Sequence, residues 1–276
     1  MIYRAFIRIS LFALGLIFGL VMEQNLGLSV NSFWMSLRIA APTFLAAPLP
    51  QVDNLGFQVG ERLTYRISWS NFMQAGTAEL TVSPGSSTTA NSYRLQLKAI
   101  STPTISQLYS FKDEFTSLFD ASLSAPTRFE KSFVERKREV RETVIFDQFN
   151  HSATFANGKQ QAYKIPIDVG TQDPLSALYA VRSLVLKPGL QVVLPVLDGG
   201  KNFQLEIKVA GSDLISTGLG NFSTHRVEVG LRREGIPLAD KKMTIWFTND
   251  ARKVPVLASI SLPVGAALIE LTSQSK

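Results

Sequence analysis

Few residues of this chain have the types and spacing that chemistry needs. The only histidines, His151 and His225, lie far apart, and there is no cysteine. A zinc site gathers several His or Cys ligands at short intervals. Neither histidine has such neighbours, so both read as ordinary polar side chains on or near strands. Ser176 with His225 could supply a nucleophile and a base, but no Gly-x-Ser-x-Gly elbow surrounds the serine. Its place early in a helical stretch suits capping or local packing. Glu61, Glu79, Asp113 and Glu114 are carboxylates of the kind a glycosidase sets across a cleft, yet nothing in their spacing sets them face to face. No Walker loop or dinucleotide fingerprint is present. The expectation is a protein without metal, cofactor or catalytic residues, and so not an enzyme.

Binding chemistry is better supplied. Arg182 falls on the same helical stripe as Leu175, Leu178 and Tyr179, where a guanidinium must meet a carboxylate or carbonyls, or reach back to water. Two readings follow: a polar clamp holding helix to sheet, or a cationic anchor for an acidic headgroup. The 18 phenylalanines, with Tyr65, Trp69 and Trp246, are an apolar stock able to fill a core or to line a cavity for an acyl chain. Arg182, Tyr179, Trp69 and Trp246 are the candidate ligand-binding residues.

The elements that must position them are mostly strands. Leu63, Tyr65, Ile67 and Trp69 alternate with Arg62, Thr64, Arg66 and Ser68, the period of a half-buried strand. Ala78, Leu80 and Val82 resume it after a turn at 71–76. Further strands are expected from Tyr93, along Phe111, Phe115 and Phe119, and at 191–197, 203–209, 222–231, 243–247, 254–260 and 266–271. Residues 127–148 admit a charged helix or a long hairpin. The β-branched run Thr143-Val144-Ile145 favours the hairpin, with the salt-rich stretch from Lys131 to Glu142 too charged for the core. Asp198-Gly199-Gly200-Lys201 and residues 218–221 read as turns. A helix is predicted from Pro174 to Leu186, with Asp173 as its N-cap and Lys187-Pro188-Gly189 as its stop. Strands, then a helix, then strands support no βαβ sheet. They predict a mainly β fold, a single antiparallel barrel-like or strongly curved sheet domain with one helix, over residues 57–272.

Ahead of that domain, residues 1–29 read as a signal peptide or signal-anchor, with Arg4 and Arg8 followed by the apolar run from Ile9 to Met22. Residues 30–56, with Pro42, Pro48 and Pro50, read as a linker. The expected location is exported, periplasmic or secreted. An uncleaved leader anchoring the protein in the inner membrane is the alternative, since the run from Ile2 approaches the roughly 20 residues of a span. The absence of cysteine excludes a lipidated cysteine and leaves the fold without disulfides. Against 28 basic residues stand 22 acidic ones, a net charge of +6. The two signs are interspersed, which argues against a nucleic-acid partner.

Several local patterns recur in a familiar order: Gly60-Glu61-x-Leu63-x-Tyr65, then Trp69 and Ala75-Gly76; Phe146-Asp147; Asp173-Pro174-Leu175-Ser176-Ala177-Leu178-Tyr179-x-x-Arg182 with Gly189 beyond it; and Trp246-Phe247-Thr248-Asn249-Asp250-x-Arg252-x-x-Pro255. Together they resemble the bacterial exported family known as domain of unknown function 3108, over about residues 57–272. The resemblance implies an exported, β-rich domain and brings no activity with it. The functional expectation is an envelope protein that binds an apolar or amphiphilic ligand such as lipid. The alternative is a structural or adaptor module docking on another envelope protein through a sheet edge or the charged hairpin.

Overall fold

The two-residue alternation becomes one antiparallel sheet of fifteen strands. The computed structural model describes residues 55–69, 73–85, 91–107, 110–135, 138–158, 160–238, 243–261 and 266–275; the expected leader and most of the expected linker lie outside them. The first eight strands are β1 (Arg62–Trp69), β2 (Met73–Pro84), β3 (Ser92–Ser101), β4 (Lys112–Asp120), β5 (Ala125–Glu135), β6 (Arg138–Asp147), β7 (Ser152–Ala156) and β8 (Tyr163–Pro166). The rest are β9 (Gln191–Asp198), β10 (Lys201–Thr217), β11 (Gly220–Arg233), β12 (Ile236–Pro237), β13 (Met243–Thr248), β14 (Pro255–Ser261) and β15 (Ala266–Ser275). Among the described residues two helices accompany them, α1 (Pro103–Ser106) and α2 (Pro174–Ser183).

Chain order is almost sheet order. From β1 one arm meanders through to β8, and β1 also pairs with β15, from which the other arm runs back through β14, β13, β11 and β10 to β9. The free edges are therefore β8 and β9, and α2 is the connection between them. Inward rows such as Leu63, Tyr65 and Ile67 on β1 and Leu95, Leu97 and Ala99 on β3 are buried, as period-two strands facing a core require. The sheet curls around α2, which packs on β3, β4, β5 and β9. Every residue from Pro174 to Arg182 is buried, so the helix is a plug with no solvent face.

The hairpin at 127–148 forms as β5 and β6 in continuous register, and both predicted turns close, at Asp198↔Lys201 and Thr217↔Gly220. Other expectations are corrected. The helix ends at Ser183 because Leu184 is already extended, and Leu184 and Leu186 are buried while Val185 is 69% exposed, the alternation of an extended chain. A second helical turn, α1, is capped by Thr102 with Pro103 in its first position. Strand β2 begins at Met73, inside the expected turn. Leu55 and Gly56, assigned to the linker, are already engaged by α2: the carbonyl of Leu55 accepts from Ser183 and that of Gly56 from Arg182. Among the described residues no helix is long and apolar enough to cross a membrane.

Candidate functional site

The most concentrated polar chemistry inside the barrel surrounds Arg182, at the end where β1 and β14 begin. Its side chain is wholly buried. The guanidinium forks onto Glu61, with Nη1 and Nη2 each 2.7 Å from one carboxylate oxygen. Nη2 also donates to the Gly56 carbonyl at 2.7 Å, and Nε and Nη2 to the Arg252 carbonyl at 3.2 and 3.1 Å. Such planar bidentate pairing is what a guanidinium offers and an ammonium does not. The ring of Tyr179 lies 5.1 Å and that of Phe57 5.9 Å from the guanidinium carbon. A glycine is required at 56: its φ is +69°, and a Cβ there would come within 2.5 Å of the Arg182 carbonyl oxygen. Burial opposes the charge of Arg182, but Glu61 outweighs it and holds the guanidinium above its ordinary value.

A cleft of about 290 Å³ opens beside this clamp, lined by Phe57, Gln58, Glu61, Leu63, Arg252 and Val254 among others. Deeper along β1 an apolar void of about 30 Å³ lies against Tyr65, Ile67 and Leu178. Alongside α2 this void is small, and the space nearer ligand size is the cleft at the mouth. Tyr65 is fully buried and donates to the Pro255 carbonyl at 3.0 Å, and burial raises its pKa well above the ordinary range. The Tyr179 hydroxyl is buried without a hydrogen-bond partner among the described residues, and burial raises its pKa too.

Of the four candidate ligand-binding residues, the structure brings Arg182 and Tyr179 together. Trp69 ends β1 opposite Ala267 and Met73, four positions beyond Tyr65. Trp246 sits on the outer face of β13, where its indole N–H donates to Asp213 at 2.7 Å. Asp213 also pairs with Arg226, and the far end of the β10–β11 hairpin reaches β14 and β15, with Gly218 N–H donating to Glu270. Trp246 therefore fastens that hairpin to the outside of the sheet.

The remaining candidates disperse. Ser176 is held in a capping box: its amide donates to Asp173, and its hydroxyl accepts from the Asp173 amide at 2.9 Å. His151 lies in the β6–β7 turn and His225 on β11. Among the described residues no group of three His, Cys, Asp or Glu could hold a metal. Glu79 and Glu114 pair outward with Arg62 and Lys98, whereas Glu61 and Asp113 belong to different polar clusters.

The second cluster was missed in the sequence. Lys131, expected on an exposed salted hairpin, is 8% exposed and points inward, 2.8 Å from Asp198 on β9 and 3.3 Å from Glu142 on β6. Asp113 on β4 faces the same group, and burial pushes its carboxyl up to about 7 against the attraction of Lys131. Parity was the available signal, since Lys131 stands between inward Phe129 and Phe133, and Glu142 between Val140 and Val144.

A family model for a protein of unknown function, DUF3108, matches residues 64–272, and the chain belongs to that family. No curated protein matches it. Among solved structures, a β-barrel-like protein of domain of unknown function DUF1849 from Brucella abortus is 12% identical, with a TM-score of 0.55 over 79% of this chain and 97% of its own. That likeness shows a shared barrel-like fold. A protein of YmcC-like fold from Bacteroides fragilis (9% identity, TM-score 0.32, 79% and 97% covered) and LprF from Mycobacterium bovis (12%, 0.26, 78% and 85%) align more loosely.

Proposed function

We propose that this is an exported, non-enzymatic binding protein that takes an amphiphilic ligand in the mouth cleft. The observation that carries the reading is the cleft itself. At about 290 Å³ it comes close to the roughly 300–1,000 Å³ of small-molecule sites, while the void along β1 holds about 30 Å³. Phe57, Leu63 and Val254 give it an apolar wall, and Gln58, Arg252 and Gln274 a polar lip. Both oxygens of Glu61 are committed to Arg182, so the cleft's own acid is neutralised. Arg252, half exposed, pairs with Asp250 at 3.3 Å, and an anionic head would share or replace that partner. The basic, apolar leader supports export, and among the described residues no catalytic groups converge, which is compatible with binding without turnover. The adaptor reading has less to draw on, because Lys131 and Glu142 of its salted stretch turn inward.

Native mass spectrometry of protein recovered from a bacterial periplasm tests this reading. The wild type should carry a co-purified amphiphile and bind a fluorescent fatty acid. Ala251→Trp, which fills the cleft from an exposed loop, and Arg252→Glu should each weaken that binding at least tenfold without lowering the melting temperature. Ligand-free wild type that binds no probe would reject the proposal.

A further inference from the structure

The mouth cleft and the internal void follow one another along the same strands. On the inward row of β1, Glu61 and Leu63 line the cleft, and the next two residues, Tyr65 and Ile67, line the void. Across from them Val254 belongs to the cleft, and Pro255 and Ala258 to the void. Near their junction the Tyr65 hydroxyl reaches past β15 to the Pro255 carbonyl, while the Arg182 fork ties Glu61 to the Arg252 carbonyl at the cleft. The void is walled by carbon, with the small residues Ala78 and Ala258 leaving room where α2 offers only Leu178. A small apolar void of this kind stays dry and accepts apolar groups.

Building on the cleft-binding reading, we infer that cleft and void are the two halves of one channel for a single-chain anionic amphiphile, with Tyr65 as its gate. The head rests at Arg252, and the tail passes the Tyr65 ring into the void beneath Leu178. Since the void is small, the channel measures chain length. Each methylene taken in strengthens binding roughly fourfold, until the void is full and the gain stops.

Saturated fatty acids of increasing length, competing with a fluorescent fatty acid on the full folded chain, read this out. Wild-type affinity should climb and then level off. Ala78→Val and Ala258→Val narrow the void from different walls, and each should move the levelling point to a shorter chain while leaving the shortest acids unaffected. Tyr65→Phe keeps the ring and loses the bond, so association should quicken severalfold with the levelling point unchanged. If both valine variants melt like wild type and keep the wild-type length profile, the tail lies outside the void and the channel is rejected while cleft binding stands. An unchanged association rate in Tyr65→Phe rejects the gate. A wild type that binds none of the acids rejects the cleft reading and the channel with it.

Discussion

At the scale of single residues, Arg182 shows how one side chain can fasten three distant parts of a chain. It joins α2 to Glu61, to the entering chain at Gly56 and to the β13–β14 loop at Arg252. A charge so deep is tolerated only because each donor finds an acceptor; removing one member strands the other. Arg182→Ala should therefore lower stability by about 3–5 kcal/mol, measured by urea unfolding. Arg182→Lys should recover only part of this, since an ammonium cannot form the planar fork. In a double-mutant cycle Arg182→Ala with Glu61→Ala should cost clearly less than the two single losses together; additive losses would mean the pair is not coupled. The need for a partner was legible from the helix stripe. The partner was not, because Glu61 lies 121 positions away, and only the closed fold selects it from the acids available.

At the scale of elements, the start of α2 shows a device that sequence and structure describe alike. The Asp173 carboxylate accepts from the amides of Leu175 and Ser176, both at 2.8 Å, and from the hydroxyl of Ser117 on β4. It thus caps the helix and ties it to the sheet. Burial nevertheless pushes its pKa up to about 6 from 3.8, against those hydrogen bonds. A folded-state pKa raised above the unfolded one means that the native protein holds the proton more tightly. The stability this contributes is full below pH 4 and is lost as pH rises toward about 6. The wild type measured against Asp173→Asn should accordingly lose up to about 3 kcal/mol across that window; a flat difference would place the carboxyl at its ordinary value. The cap was readable because Asp, Pro and Ser act within one turn. Strands β7 and β8 were not, since five and four residues are too short for alternation to stand out. Their pairing depends on the neighbour β6 rather than on their own pattern.

At the scale of the whole molecule, the sheet is a barrel that backbone pairing leaves open, and side chains span the gap. Lys131 on β5 reaches Asp198 on β9, with nine strands between them in the sheet order. Asn202 donates to the Pro166 carbonyl at the end of β8. The backbone of Gln172 bridges to Val196 on the outer edge of β9, while its side-chain amide donates to the Ser124 carbonyl beside β5. Such closure protects strand edges that would otherwise offer unpaired amides and carbonyls to other chains, and it gives the cohesion of the two arms an electrostatic part. Burial opposes the charge on Lys131, but Asp198 and Glu142 prevail and raise its pKa. Lys131→Met would leave Asp198, Glu142 and Asp113 to repel one another in a buried space. Asp113 already sits at about 7, above its ordinary 3.8, so its preference for the proton stabilises the fold in acid and fades as pH rises through 7. Without the cation that preference strengthens, and the variant should be hurt most at pH 7.5 and recover in part at pH 5, where Asp113 holds its proton. Melting temperatures of wild type and variant at the two pH values decide it. An equal deficit at both would mean that Lys131 closes the barrel through its contacts with the rings of Phe115 and Phe133 rather than through its ion pairs.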